Sequence, residues 1–563
     1  MHDPNKGPEA GLHPRRPALR VIAAIVCTLL VAATAVAAAE EPRGGGTLTL
    51  ANRGDPPAGF DSMFTSSIAL HHVGGALFGA GNLVMRCRED FYTVCPYLAL
   101  RWEHSPDFKV WTFVLRGDAF WHDGRRFTAE DAKFWFDLVF FGARSGDAVR
   151  PPAYFARELG VATKVEALDE RRLRITFAHR NAHFPQILAN PRFKIAHPRH
   201  LMEPRIEAGQ VNVSPLDVGL VGLGPFTLGQ YRRGSLVRVD RFDRYFERDP
   251  RGARLPYLDR IDYVIMPDPF AMDAAFRSGR LDGTARGQAH FLSRERAASY
   301  ERDLGETVSF ARSDGGNFRL AFNVLKEGPW QDPRVRRAIA LWIDKPAAIP
   351  LALGGYGWTT PSIGPGDINV PTEFINWPRY DTAPLAERRA EARRLMAEAG
   401  YADGFAMGHL TRAIMTEGAE FLKAQLAGLG VDLRLQIVDE GEWNRARVSM
   451  DYDSQQGRLA PSPIPEGTES VYGRYELNPD AYAKHDDRHL DELYRRLRES
   501  VTMEQRIEVW RRVSRYLFLE QTYIVPVAES IDVVAYRSHV RGIVVPPEDM
   551  HTHTDFATVW LDR

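Results

Sequence analysis

The constraint that acts first on this chain lies at its N-terminus. Arg15, Arg16 and Arg20 precede the apolar run VIAAIVCTLLVAATAVAAA, which ends on small residues ahead of Glu40 and Glu41. A basic region, a short apolar stretch and an A-x-A-like end are the parts of a secretory signal peptide, so residues 1–39 are expected to be removed rather than folded. The alternative is an N-terminal membrane anchor, which needs about 20 apolar residues to span the hydrocarbon core. Cys27 sits inside the apolar run and not at its end, which argues against lipid attachment there. Pro17 after the arginine pair departs from a twin-arginine pattern. Ordinary export is the expectation, with cleavage after Ala37 or Ala39, and the mature chain works outside the cytoplasm.

Cleavage would leave about 520 residues, more than one hydrophobic core accommodates, which implies at least two lobes and room to enclose a ligand between them. The formal net charge is −1. That balance argues against a nucleic-acid binder or a protein held on anionic lipid, both of which need a basic surface. No later segment reaches 18 apolar residues, so the mature protein is expected to be soluble. Its two cysteines, Cys87 and Cys95, can close a small loop in an oxidising compartment, or remain two independent buried thiols. Two cysteines at this spacing do not make a tetrahedral zinc site, and no metal site is assigned to them.

Strand and helix periods alternate along the whole chain. GTLTLANR, VWTFVL, RRLRITF, SLVRVDRF and VDLRLQIV read as strands, with Val237 and Val239 on the face opposite Arg238 and Asp240. Thr128 and Asp131 form a capping box ahead of a helix whose buried face carries Ala132, Trp135, Phe136, Val139 and Phe140. Asp332-Pro333 opens a second helix, with Val335, Ala338, Ile339 and Trp342 inside and Arg334, Arg336 and Arg337 facing water. A third runs from about Pro384 to Ala399 and stops at Gly400, and a fourth starts at Thr502 with Gln505 as its capping partner. Strands and helices in this order make an α/β or mixed α+β protein. The Pro/Gly-rich stretches 354–371 and 457–467 read as ordered loops, where binding residues tend to lie.

Reactive constellations are scarce. The chain has no G-x-S-x-G elbow, no H-E-x-x-H, no G-x-x-x-x-G-K phosphate loop and no dinucleotide fingerprint. His551, His553 and Asp555 alternate and would share one face of a strand, where they could hold a cation; a solvated C-terminal strand explains them as well. His71 and His72 are adjacent and point apart on any regular element. No cofactor is expected.

The stretch LALRWEHSPDFKVWTFVLRGDAFWHDGRRFTAEDAKFWFD, residues 98–137, resembles the signature of the family 5 extracellular solute-binding proteins, the peptide- and nickel-type receptors of ABC importers. VGLGPF (221–226), LPYLDRIDYVIM with SGRLDG (255–283), FNVLKEGPWQDPRVRRAIALWID (322–344) and AEAGYADGF (397–405) agree with that family in the same order. These blocks read as scaffold: His122, Asp123 and Gly124 as a turn, Gly224-Pro225 as a strand entry, Asp332-Pro333 as a helix start. The resemblance implies two lobes hinged by crossing strands. Lobe I would combine 44–80, 217–316 and 518–563, with an inserted subdomain at 81–216, and lobe II would span 317–517. Solute would bind in the cleft of a periplasmic monomer that delivers it to an inner-membrane permease.

The resemblance also points to candidate ligand-binding residues. Thr65, Ser66 and Ser67 lie in an early loop that faces the cleft in relatives, with helix capping as the competing explanation. Arg412 occupies a position where a guanidinium fork can grip a ligand carboxylate, or else form a structural ion pair. Asp453 could take a ligand ammonium, with Gln455 and Gln456 supplying amide donors and acceptors and Arg458 a second anion partner. Trp358, in the loop GGYGWTTP, could stack on a ring or simply pack. The segment 450–469 lacks the Asp-Asn-Pro-Asp-like run of dipeptide receptors, and Ser462–Glu466 resembles members that take longer or peptide-like compounds. The leading expectation is a receptor for a peptide or peptide-like solute, and the runner-up a receptor for an oligosaccharide, an opine-like compound or a chelated metal. A secreted metal-dependent hydrolase using the C-terminal His/Asp group is the competing class.

Overall fold

The computed structural model describes residues 41–544 and 555–563, except Ser66, Tyr92, 285–291, 360–382, 460–472 and 475–480. The leader therefore lies outside the described residues. Among those described, no helix is long and apolar enough to cross a membrane.

Three principal sheets organise the chain. The first has four strands in the order Thr47–Asn52, Arg260–Ile265, Leu236–Arg241, Phe226–Arg232; the first pair is parallel and the others antiparallel. The period-two pattern sets its faces, since Val237 and Val239 are buried while Arg238 ties to Asp262 on the opposite surface at 2.7 Å. The second sheet is antiparallel, in the order Ala99–His104, Val110–Leu115, Arg172–Phe177, Ala162–Ala167. The helix Ala129–Phe141 contributes Trp135, Phe136 and Val139 to the same core as that sheet. Its Thr128–Asp131 capping box is present, with the Asp131 carboxylate accepting from the Thr128 amide at 2.9 Å and the Thr128 hydroxyl at 2.8 Å. Cys87 and Cys95 form a disulfide beside the short hairpin Val84–Arg86 and Val94–Pro96.

The third sheet has six strands in the order Gly357–Trp358, Ile524–Arg537, Val308–Phe322, Ser454–Leu459, Phe405–Arg412, Val431–Val438. Its two long antiparallel strands belong to more than one core. Ala311, Val534 and Tyr536 pack with the first sheet, whereas Phe318, Leu320, Phe322, Val525, Val527 and Ala528 pack with Val335, Ile339, Trp342 and Leu422. Register shifts fall between Asp314 and Gly316 and between Phe318 and Arg319, at the passage from one core to the other. Residues 518–528 share the cores of 318–343 and 490–517: Phe518, Tyr523 and Ile524 pack with Leu490, Tyr494 and Trp510.

The remaining helices start and stop where capping chemistry places them. Pro333–Trp342 begins on the Asp332 cap, Leu385–Glu398 ends ahead of Gly400 at φ +87°, and Met503–Ser514 carries the Thr502–Gln505 box. Two expectations need correction. Arg336 does not face water; it is buried because its guanidinium donates to the carbonyls of Trp330 (2.7 Å), Gln331 (2.8 Å) and Gln521 (2.8 Å). Neither Pro/Gly-rich stretch is wholly loop: 457–459 end a strand because they complete the ladder with Asn317–Arg319, and Gly357–Trp358 form an edge strand because they pair with Ser530 and Glu529.

His122 shows how the sequence blocks lock together. Its Nδ1 accepts from the Gly222 amide at 3.1 Å and its Nε2 donates to the Gly224 carbonyl at 3.1 Å, which fixes one neutral tautomer. Burial pushes its pKa down to about 4. An unfolded imidazole titrates near 6.5, so the unfolded chain takes up this proton first as pH falls. Stability from His122 is complete above pH ~6.5 and is lost as the pH falls toward about 4. We expect urea midpoints to drop over that window by the equivalent of ~2–3 kcal/mol for this residue. His122→Asn should be less stable at pH 7 and should show a shallower decline; an unchanged slope would refute the assignment.

Candidate functional site

The candidate residues fall into three places. Arg412, Asp453, Gln455 and Gln456 lie on neighbouring segments of the six-stranded sheet, since Phe405–Arg412 runs parallel to Ser454–Leu459 with His409 opposite Ser454 and Leu410 opposite Gln455. Trp358 is half-buried on the edge strand, opposite Glu529 and separated from Ser454–Leu459 by two intervening strands. Thr65 and Ser67 precede the helix Ile68–Phe78, where the Thr65 hydroxyl accepts from the Ser67 amide at 3.2 Å and the Ser67 side chain makes no capping bond. Ser66 lies outside the described residues. So does the Arg458 side chain, although its backbone pairs with Phe318.

The pleat separates residues that adjoin in sequence. Gln455 is buried and donates to the Tyr482 carbonyl at 2.6 Å and the Tyr452 hydroxyl at 3.0 Å, while Gln456 Oε1 accepts from Thr411 at 3.3 Å. Both carboxylate oxygens of Asp453 are engaged by the chain: Oδ2 accepts from the Gly408 amide at 2.7 Å and Oδ1 pairs with Lys326 at 3.0 Å. His409, buried below them, reaches Ser454 at 2.9 Å, and burial pushes its pKa down to about 3, so a neutral ring sits in this part of the sheet.

Arg412 ends its strand against a cluster absent from the sequence reading. Its guanidinium lies 4.4 Å above the Trp443 ring and donates to the Met415 sulfur at 3.1 Å. Arg447 stacks on the same ring at 4.3 Å and on Tyr482 at 4.5 Å, and Arg319 from the long strand sits 4.3 Å over Tyr482. All three arginines and Trp443 are buried. Guanidinium groups stack on aromatic faces because the ring quadrupole attracts cations, and desolvation strengthens the contact. Trp443 and Arg447 share a face of the helix Glu440–Ser449 at i, i+4 spacing, the one local signal that could have linked them. Three guanidinium groups from a strand end, a helix and the long strand are thus gathered around the Trp443 and Tyr482 rings.

Among the described residues, the grouping of three metal-ligating side chains is Cys87, Glu89 and Cys95, and its sulfurs are consumed by the disulfide. His551 and His553 lie outside the described residues, and Asp555 forms a 2.6 Å ion pair with Arg88.

A model of the bacterial extracellular solute-binding proteins, family 5, middle region, matches residues 93–475. The chain belongs to this family. Its members are binding proteins and not enzymes as a class. Among relatives of this family 5 protein, the Di/tripeptide-binding protein 2 of Pseudomonas aeruginosa (strain UCBPP-PA14) is 26% identical, over 91% of this chain and 93% of its own length. Among solved structures, the PBP AgaA of A. tumefaciens R10 in complex with agropinic acid superposes with a TM-score of 0.77 at 23% identity, covering 92% of this chain and 99% of that one. The periplasmic binding protein DppA of Helicobacter pylori in complex with peptide STSA gives 0.78 at 19% identity, with the same coverage. The family 5 chain therefore has the two-lobed binding-protein fold.

The packing around Tyr482 yields a test. A Cβ on Gly457 would lie 2.3 Å from the Tyr482 ring and 3.2 Å from Arg319 Nη2, whereas a Cβ on Gly54 would meet nothing within 4 Å. Gly457→Ala must push the ring off its guanidinium partners and should cost ~1–3 kcal/mol by urea denaturation, with Gly54→Ala within about 0.5 kcal/mol of the parent. Equal stability of the two variants would show that Tyr482 does not depend on that space.

Proposed function

We propose that this chain is the exported receptor of an ABC importer, which takes a peptide or peptide-like solute into the cleft between its lobes and hands it to an inner-membrane permease. The observation that carries this reading is the match to a di/tripeptide-binding relative over 91% of the chain, inside a family of solute-binding proteins. The leader fits export to the periplasm and removal of residues 1–39. Binding without bond cleavage, in a monomer, needs no catalytic group or cofactor.

We assign lobe I to 44–80, 217–316 and 530–563, its subdomain to 81–216 and lobe II to 317–529, which moves the C-terminal boundary from 518. The returning crossing is assigned to Glu529–Ser530, because 518–528 share lobe II's cores. Two strands that leave one core and enter another suit a hinge, and closure over a solute would hide it from water. Arg412 is the candidate partner of a solute carboxylate, with Gln456 beside it; Thr65, Ser67, Trp358 and Arg458 complete the candidate set. Asp453 and Gln455 are given the role of holding the sheet that carries Arg412 and Gln456, because both Asp453 oxygens and the Gln455 amide nitrogen are engaged within the chain; Arg412 and Gln456 also have in-chain partners, at Met415 and Thr411.

A second reading, an opine-like solute, is favoured by one observation: both oxygens of Asp453 already serve Lys326 and Gly408, which suits a solute bound through carboxylates more than through an ammonium. Native mass spectrometry of the purified mature protein, followed by identification of any released molecule and a thermal-shift screen of tripeptides, their N-acetylated forms and opines, distinguishes the two. Arg412→Met should weaken a carboxylate-bearing solute about 10- to 100-fold, the loss expected when a charged partner is removed. Asp453→Asn should lower stability and leave affinity for a tripeptide within about threefold; a large loss for the free tripeptide with none for its acetylated form would restore Asp453 as the ammonium partner. Stoichiometric metal with substrate turnover would support the hydrolase instead.

A further inference from the structure

The residues between Cys87 and Cys95 contain one long charged side chain that reaches far across the sequence. Arg88 Nη1 and Nη2 donate to the two oxygens of Glu247 at 3.1 and 2.8 Å, and its Nε donates to Asp555 Oδ2 at 2.6 Å. Glu247 Oε2 also accepts from the Tyr245 hydroxyl at 2.6 Å, which meets the Tyr97 hydroxyl at 3.0 Å, and Tyr97 in turn accepts from the Ala80 amide at 3.2 Å. One guanidinium thus joins the cystine loop, the segment 245–247 and the start of the C-terminal segment.

That C-terminal segment depends on tertiary contacts. Beyond Asp555, Phe556, Ala557, Val559, Trp560 and Leu561 are buried, and only Trp560–Leu561 is paired as strand, with Val540–Arg541. Phe556 packs against Tyr263 of the first sheet and His72 of the helix Ile68–Phe78, and Ala557 and Trp560 join the core of the inserted subdomain. Asp555 is itself nearly buried, with 9% of its side chain exposed, and so is costly to leave without a cation.

We propose that the Cys87–Cys95 disulfide is a redox-sensitive latch: it holds Arg88 in the geometry that clamps the C-terminal segment onto the inserted subdomain. The ring is short, and the bond restricts the conformations from which Arg88 must be gathered to meet two carboxylates at once. Cys95 is partly exposed, which lets a dithiol reach the bond. Dithiothreitol supplies two electrons and two protons, the disulfide becomes two thiols, and the reagent leaves as its cyclic disulfide. The Arg88 loop then loses its covalent restraint, and two semi-buried carboxylates, Glu247 and Asp555, lose a fixed cation.

Hydrogen exchange with mass spectrometry on the full mature chain tests this, read at the amides of 556–561, in the oxidised parent, the dithiothreitol-reduced parent, C87S/C95S, Arg88→Met and the triple variant. Reduction and C87S/C95S should each speed exchange of 556–561 about tenfold, while lobe II peptides stay unchanged. The triple variant should exchange no faster there than Arg88→Met alone, because the disulfide acts through that side chain. Faster exchange confined to 84–96, multiplicative effects in the triple variant, or acceleration across the whole protein would each overturn the latch. The reduced parent carries no substitution, so the outcome does not depend on any variant folding.

Discussion

Everything else in this protein hangs on the antiparallel pairing of Val308–Phe322 with Ile524–Arg537. A ladder of this length is rigid along most of its run, because each residue is held by backbone bonds and by a packed side chain. Here the packing partners change along the strands, from the first sheet and its helices to the core around Trp342 and Leu422. The register shifts at Asp314–Gly316 and Phe318–Arg319 interrupt the ladder near that change. The Ser530 hydroxyl closes this gap with a 2.8 Å bond to the Gly316 carbonyl. The two cores are thus joined through one shared pair of strands.

Buried charge is handled in a consistent manner. Asp61 pairs with Arg150 at 2.6 Å and His197 at 3.1 Å, and although burial opposes ionisation, those two partners and the Met63 amide hold its pKa down to about 2. Glu158 and Arg192 form a second buried pair, and Arg336 is satisfied by three carbonyls. Lys194 donates to the Gly79 carbonyl at 2.7 Å, and burial pushes its pKa down to about 7. Such groups specify a unique packing, since each must find its partner or incur a desolvation cost.

How much of this was legible in the sequence differs from element to element. The strands 110–115 and 431–438 and the helices opened by Thr128, Asp332 and Thr502 lie where periodicity and capping predict, because those signals act within one or two turns. The family was legible because five blocks keep their order along the chain. The candidate site was less so. Gln455 and Gln456 look like one polar feature and face different partners across the pleat, and Asp453 looks available and is held by Lys326, 127 positions away in the chain. Trp443, Tyr482, Arg319 and Arg447 carry no common local pattern, so nothing marked them as one cluster.

The sequence by itself determined the class of fold, the capped helix starts, the family and the export route expected from the leader, since these follow from residues close together or from blocks in a fixed order. Tertiary structure alone decided which side chains meet. Arg336 reads as a solvent-facing helix residue until Gln521, 185 residues later, brings a carbonyl to it. Arg88 is an unremarkable loop arginine until Asp555, 467 residues later, arrives beside it. The physical reason is the same in both cases: capping and periodicity depend on neighbours along the chain, whereas the partner of a buried charge is set by strand register and core packing between segments the sequence keeps far apart.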